Sequence, residues 1–386
     1  MPLVTEQIPL AQPDLGAREE ELVLEVLRSG QLSLGPMLGR FEQAFAAWLG
    51  VDDAAAVSSG TAGLHLAVRA LGWGEGDEVL TTPFSFVASS NCLLYEGARP
   101  VFCDIDPVTL QINPAAAEAA AGEGTAGILP VHIFGYAADL PALERIAADR
   151  GIAMLEDACQ APGAIDPAGR RVGTTGNPAS FAFYANKQMT TGEGGVVIPA
   201  DAAMAERIRS ERNQGRSPDM SQVDHVSVGF NYRMTDIQAA IGVAQLERFD
   251  DLLAARTAVA GGYTERLSEI GAPAGEGDPD GLVLPCRDSG EVERSWFVYP
   301  VQVPRAVAKE DVIASLAKQG IQAKAYLPCI HTMPPYRERF GFKGGEFPVA
   351  ESVAERSVAL PFFASMTSEQ VERVCKALGS ALAGAA

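Results

Sequence analysis

The chain reads as an α/β protein, with a largely parallel sheet covered by helices on both faces and a smaller α+β unit after it. Three observations predict this. Between about residues 15 and 200, short apolar strand-like runs alternate with helix-like segments, the pattern of βα units. Hydrophobic residues make up 47% and charged residues 20% of 386 positions, so the chain can bury a large core without disulfides or metals. At Gly271–Asp280 (GAPAGEGDPD) the alternation stops in a stretch of Gly, Pro and Asp that reads as a linker or surface loop.

In chain order, Asp14–Ser29 is a helix stopped by Gly30, and Phe41–Leu49 is a second. Ala54–Val57 is a short strand. Thr61–Leu71 places Leu64, Ala67, Val68 and Leu71 on one face, the spacing of an amphipathic helix. Val79–Thr82, Pro100–Ile105, Ile128–Phe134, Ile152–Glu156, Phe181–Tyr184 and Gly195–Ile198 read as strands, and Asp139–Arg150 as a helix between two of them. Val243–Glu269 has the length of one long helix. A strand (Phe297–Val303), a helix (Lys309–Lys318), a strand near Gln322–Tyr326 and a last helix (Ser368–Leu382) form the small unit. The boundary is expected inside the long helix, giving a large domain over 1–250 and a small one over 251–386.

A net charge of −19 speaks against nucleic acid as a partner, because phosphate binding needs a basic face. No apolar run has the ~20 residues of a membrane span. The start, MPLVTEQIPLAQPDLGAREEE, lacks the basic and apolar regions of a signal peptide. The six cysteines form no close pair, which suits free thiols in the cytoplasm, and the four histidines show no metal-ligand spacing, so no metal is expected.

Gly122, Gly124 and Gly127 match G-x-G-x-x-G but follow a helix and precede a strand, the reverse of the dinucleotide order, so a glycine-rich loop is the reading. Ser58-Ser59-Gly60-Thr61-Ala62 follows a strand and opens a helix. It suits either an anion held on backbone N–H groups or a plain N-cap. Asp157, in EDACQ, lies at the carboxyl end of a strand, where ligands of open α/β sheets bind; by itself a helix-capping carboxylate is the plainer reading. Lys187 ends an aromatic strand before a Gly/Thr turn. Desolvation there would raise its neutral fraction, as a Schiff-base nucleophile requires, although a solvated surface lysine fits the residue type as well.

Taken in order, SSGTA, TPFSFVAS, EDACQ, FAFYANKQMTTGEGG and GFNYRMTDIQAAIG resemble the sugar-nucleotide aminotransferases of the DegT/DnrJ/StrS type. The resemblance runs end to end, from IPLAQPDLGAREEELVLEVLRSGQLSLGP to FPVAESVAERSVALPFFASMT. It implies fold type I of the pyridoxal-phosphate (PLP) enzymes, with a mostly parallel seven-stranded sheet. It implies that Lys187 attaches the cofactor and moves the proton, that Asp157 pairs with the pyridine nitrogen, and that Gln160 bonds the 3-oxygen. Phe86 would stack on the ring, where a core phenylalanine is the alternative. Gly60 and Thr61 would hold the phosphate, joined by Asn231 from the partner subunit of a homodimer. Many members carry serine at the position of Ala182; Ser180, two residues earlier on the same strand face, is the candidate replacement. Tyr326 and His331, in YLPCIH, are candidates to face the substrate, against a packed or surface histidine.

The resemblance further implies transfer of an amino group from L-glutamate to a keto-deoxy sugar of a nucleoside diphosphate. Lysine at 187, where dehydratase relatives carry histidine, favours transamination. The TTGEGG turn resembles members acting on 4-keto-6-deoxy sugars, enzymes of amino-sugar and polysaccharide biosynthesis. The alternatives are the same fold acting on a cyclitol or another non-nucleotide ketone, and a non-catalytic binding or regulatory relative.

Overall fold

A computed structural model describes residues 7–217 and 224–385; the first six residues, part of the stretch read for a signal peptide, lie outside it. The large sheet is assembled from β1 (Ala55–Val57), β2 (Glu78–Thr81), β3 (Arg99–Phe102), β4 (Thr125–Ile128), β5 (Ala153–Met154), β6 (Glu156–Asp157), β7 (Ala179–Ala182) and β8 (Gly195–Ile198). β3-β2-β4-β5 pair in parallel, and β6-β7-β8-β1 continue the sheet. The two halves join because β5 and β6 are one strand interrupted at Leu155. The Leu155 N–H still reaches the Ile128 carbonyl at 3.0 Å, and Asp157 bridges Val131 in parallel. The result is a seven-stranded order, β3-β2-β4-β5/β6-β7-β8-β1, in which β8 runs against both neighbours. This is the mixed α/β sheet of fold type I.

Successive side chains of a strand point to opposite faces, and both faces here are apolar. Ala56, Leu80, Ile128, Met154 and Val196 enter one core with Phe41 and Phe45. Their neighbours Val57, Val79, Leu129, Leu155 and Val197 enter the other, with Leu64, Leu66 and Val68 of the helix Gly60–Leu71. On the first face, Phe45 meets Phe181 and Phe183 edge-on at 5.3 and 5.5 Å, which anchors the strand that leads to Lys187.

The G-x-G-x-x-G stretch makes the turn into β4 and part of that strand. A Cβ on Gly127 would stand 2.0 Å from the Trp73 ring, so this glycine makes room for packing. The expected single helix over 243–269 is two, Asp236–Leu246 and Phe249–Leu267. The break falls at Arg248, whose backbone leaves the helical region (φ −130°, ψ 21°). Its guanidinium is drawn to Asp14 (2.7 Å) and to buried Glu19 (3.0 Å), and Gln245 also bonds Glu19.

The second sheet has the order β12-β13-β11-β10-β9, from β9 (Ala272–Pro273), β10 (Val283–Leu284), β11 (Tyr299–Gln302), β12 (Lys324–Ala325) and β13 (Ser357–Leu360). The helix Phe249–Leu267 is shared: Phe249 and Leu252 pack in the first core, while Val259, Tyr263 and Leu267 pack in that of the second sheet. Ile8 joins this second core and bridges Ile321, so Ile8 lies on the smaller unit rather than with the large one. No helix among the described residues is long and apolar enough to cross a membrane.

Candidate functional site

Three consecutive structural features bring the site together at the carboxyl ends of β1, β6 and β7. β1 delivers Ser58–Gly60 to the start of a helix. The Ser59 hydroxyl caps this helix by accepting from the Ala62 N–H at 3.1 Å. Among the described residues, the N–H groups of Gly60 and Thr61 donate to no partner. A Cβ on Gly60 would meet the Ala182 Cβ at 2.6 Å and the Cys159 Sγ at 2.8 Å, so only glycine lets the helix start this close to β7. The N-cap leaves room for the other reading as well: the cap uses one N–H, and two remain at the positive end of the helix, where an anion could be held.

β6 places Asp157, which is buried. Its Oδ2 accepts from the Ser89 hydroxyl at 2.6 Å and its Oδ1 from the Cys159 N–H at 3.1 Å. The Ser85 and Ser89 hydroxyls are 2.8 Å apart, and since the Ser89 proton is committed to the carboxylate, Ser85 donates to Ser89. Beneath it, His132 accepts the Ala138 N–H on Nδ1 (3.0 Å), so Nε2 carries the proton and donates to Glu156 (3.1 Å). Glu156 also takes the Gly173 N–H and the Thr175 hydroxyl. The strand end that carries Asp157 is therefore braced by a buried, satisfied network. Phe86 lies one turn before Ser89, whose N–H bonds its carbonyl, and leaves 58% of its surface exposed, which an ordinary core phenylalanine does not. The buried Gln160 accepts the Phe134 N–H on Oε1 at 3.0 Å, turning its amide nitrogen outward from that bond.

β7 leads to Lys187, whose Nζ sits 4.0 Å from the centroid of the Phe297 ring. Burial, the largest influence, lowers its pKa to about 8, opposed by Asp157 and Cys159 and assisted by Arg256. A useful neutral fraction near neutral pH follows from that environment. Cys159 is pushed the other way, well up, by desolvation and the Asp157 charge, so its thiol stays protonated.

The remaining sequence candidates are distributed less evenly. Ser180 is fully buried, with its hydroxyl donating to the Gly60 carbonyl at 3.3 Å; it supports the cradle from below, and Ala182 is the residue of β7 that faces Gly60. Asn231 is exposed, beside Tyr232, whose carbonyl takes the Ser58 N–H at 2.7 Å. Tyr326 lies beside Asn186, its hydroxyl pushed up to about 12 by burial. His331 is fully buried among Phe342 and Phe347, with Nε2 2.9 Å from Glu351. His331, Glu346 and Glu351 form the cluster of possible metal ligands among the described residues, yet both carboxylates already accept main-chain N–H groups of residues 343–347. Sequence reasoning missed Ser89, His132, Glu156, Gln188 and Arg256. Ser89, Glu156 and Gln188 had a local signal, since they lie inside TPFSFVAS, EDACQ and FAFYANKQMTTGEGG; His132 and Arg256 lie outside these motifs.

A PLP-type ligand fits these residues: free N–H groups at a helix start for a phosphate, a fixed buried carboxylate for a ring nitrogen, an exposed aromatic face and a lysine of lowered pKa. The sequence model of the DegT/DnrJ/EryC1/StrS aminotransferase family matches residues 13–379. A GDP-perosamine synthase of Caulobacter vibrioides is 36% identical over 379 residues, covering 97% of this chain and 98% of that one. DesV of S. venezuelae has a TM-score of 0.88 at 32% identity, covering 97% and 98% of the two chains. Spr1654 of Streptococcus pneumoniae, solved in a PLP form, has a TM-score of 0.90 at 26% identity, covering 98% and 100%.

Proposed function

From the premise that the chain belongs to the DegT/DnrJ/EryC1/StrS aminotransferase family, whose members are PLP-dependent sugar aminotransferases, we propose that it carries an amino group from L-glutamate to a 4-keto-6-deoxy sugar linked to a nucleoside diphosphate. The observation that carries the reading is Lys187, an amine of lowered pKa in reach of the charge of a fixed, buried Asp157. The 36% identity to a GDP-perosamine synthase supports a nucleotide-linked sugar, and the TTGEGG turn supports the 4-keto position.

PLP supplies an electron sink for the carbanion formed when a proton leaves the amino-bearing carbon. The chain supplies the rest. Gly60 and Thr61 would hold the phosphate on main-chain N–H groups, with Asn231 of a second copy as a further donor. Asp157 would keep the ring nitrogen protonated, Gln160 would donate to the 3-oxygen, and Phe86 would lie on the ring face. Lys187 would hold the cofactor covalently. Its neutral Nζ would be the base that takes and returns the proton at the amino-bearing carbon of the substrate. In the second half-reaction the same nitrogen would run the transfer in reverse on the sugar.

The test is the visible spectrum of the purified protein before and after L-glutamate. The expected result is a yellow band that gives way to a shorter-wavelength one, and Lys187→Ala should lack the yellow band while keeping its fold. A band that ignores glutamate removes the donor from the proposal; a Lys187→Ala protein that keeps both band and turnover removes the lysine.

A further inference from the structure

Arg256, on the helix that joins the two cores, is almost completely buried, and among the described residues it has no carboxylate at ion-pair distance. Its nitrogens go to main-chain carbonyls instead. Nη2 donates to Lys187 at 3.0 Å, and Nη1 donates to Phe297 at 3.2 Å and reaches Trp296 at 3.5 Å. Its guanidinium carbon lies 5.5 Å from the centroid of the Phe362 ring, and Nε has no partner. An arginine kept only to satisfy carbonyls would ordinarily bring a counter-charge into the core, since a buried unpaired cation is costly.

The two backbones it ties are those of Lys187 and of the ring beneath the Lys187 amine. Gln188 adds a second tie, donating to the carbonyls of Gln160 (2.7 Å) and Ser295 (3.0 Å). Residues 295–297, which lead into the second sheet, are thereby fastened to the Lys187 turn. We propose that Arg256 is a positioning residue: its guanidinium, with no carboxylate at ion-pair distance among the described residues, ties the carbonyls of Lys187 and Phe297 together and so fixes the Lys187 amine over the Phe297 ring. This rests on Lys187 being the residue that attaches the cofactor.

The charged groups acting on Lys187 are Asp157 and Arg256; Cys159 would join Asp157 only once its thiol ionises, and burial holds it protonated. Asp157 favours the ammonium form; Arg256 opposes it, and burial works in the same direction as Arg256. The Phe297 ring face also favours the ammonium form, as any aromatic face attracts a cation. Removing the guanidinium and removing the ring should therefore shift Lys187 in opposite directions, which loosening of the site alone would not do.

The experiment is competitive acylation of the cofactor-free full chain with trace acetic anhydride across pH, reading the Lys187 peptide by mass spectrometry. In the unaltered chain the reactivity should rise through a midpoint at about 8. Arg256→Gln should raise the midpoint by about half a unit or more, Arg256→Lys should return it towards the starting value, and Phe297→Leu should lower it. A midpoint unmoved by Arg256→Gln, or moved as far by Arg256→Lys, overturns the proposal. Circular dichroism reports folding; should Arg256→Gln not fold, Phe297→Leu decides, and an unchanged or raised midpoint there overturns it. The readout needs no cofactor, so failure of Lys187 as the attachment residue would show in the visible spectrum while the shifts measured here stood or fell separately.

Discussion

The Asp157 carboxylate takes a side-chain hydrogen bond from the Ser89 hydroxyl, at 2.6 Å from Oδ2. A hydrogen bond to a charged group is worth about 1.5–3 kcal/mol, and losing it should let the carboxylate turn and weaken its pairing with a ring nitrogen. Ser89→Ala is therefore expected to lower kcat by roughly tenfold to a hundredfold, by the same energy scale, and to lower thermal stability as well, because the buried carboxylate loses a partner. Ser85 touches the carboxylate only through Ser89, so Ser85→Ala should cost less. Steady-state kinetics on the two variants side by side check this; equal losses would mean that the relay acts as packing rather than as a means of orienting Asp157. Ser89 shares a turn with Phe86, so in the proposed site one short segment would set both the edge and the face of the cofactor pocket.

Two glycines separate fold from site at the level of elements. Gly127 sits inside β4 against Trp73, and Gly127→Ala drives a Cβ to 2.0 Å from the ring. Overpacking of this kind costs about 1–3 kcal/mol, so urea unfolding should show lost stability while cofactor affinity holds. Gly60 sits where the helix start touches β7, and its replacement by alanine pushes against Ala182 and Cys159. Gly60→Ala is expected to weaken PLP binding by about tenfold or more, read by spectral titration, because the displaced N–H groups are the ones left free for an anion. The same contrast explains what could be read in advance. The strand ends and the motifs at 58–62, 157 and 187 were legible because apolar runs and the residues at their carboxyl ends are local features. The break at Arg248 was not, since Glu247 and Arg248 are good helix formers and the kink comes from Asp14 and Glu19, far away in sequence. Arg256 was hidden for the same reason: inside a helical pattern an arginine looks solvated, and only the fold shows it buried under Lys187. For His331 the sequence offered the substrate or a packed or surface position, and the fold encloses it with Glu351 and Phe347.

For the whole molecule, the open question is whether one copy completes its own site. Phe86, Tyr184, Val226 and Val228 are large apolar residues left exposed, and Asn231 lies exposed at the end of the same segment as Val226 and Val228. Exposed apolar surface is a common mark of a subunit contact, and in a homodimer that pairs through this segment Asn231 is a candidate to serve the other copy's cleft. Yet the Tyr232 carbonyl also accepts the N–H of Ser58 of its own chain, so service to its own chain's helix start is the competing arrangement for Asn231. Mixing two damaged copies separates these routes. Lys187→Ala and Asn231→Ala should each be nearly inactive alone. If Asn231 acts across the interface, a mixed dimer has one site with both defects and one site with none. Random pairing then restores roughly a quarter of the unaltered activity, from simple two-fold statistics. If Asn231 serves its own chain, every site in the mixture keeps one defect, and activity stays at the mean of the two variants. Co-refolding the pair at equal amounts, with light scattering to confirm a dimer, gives the answer: recovery places the site between two copies, and its absence returns the phosphate cradle to the single chain.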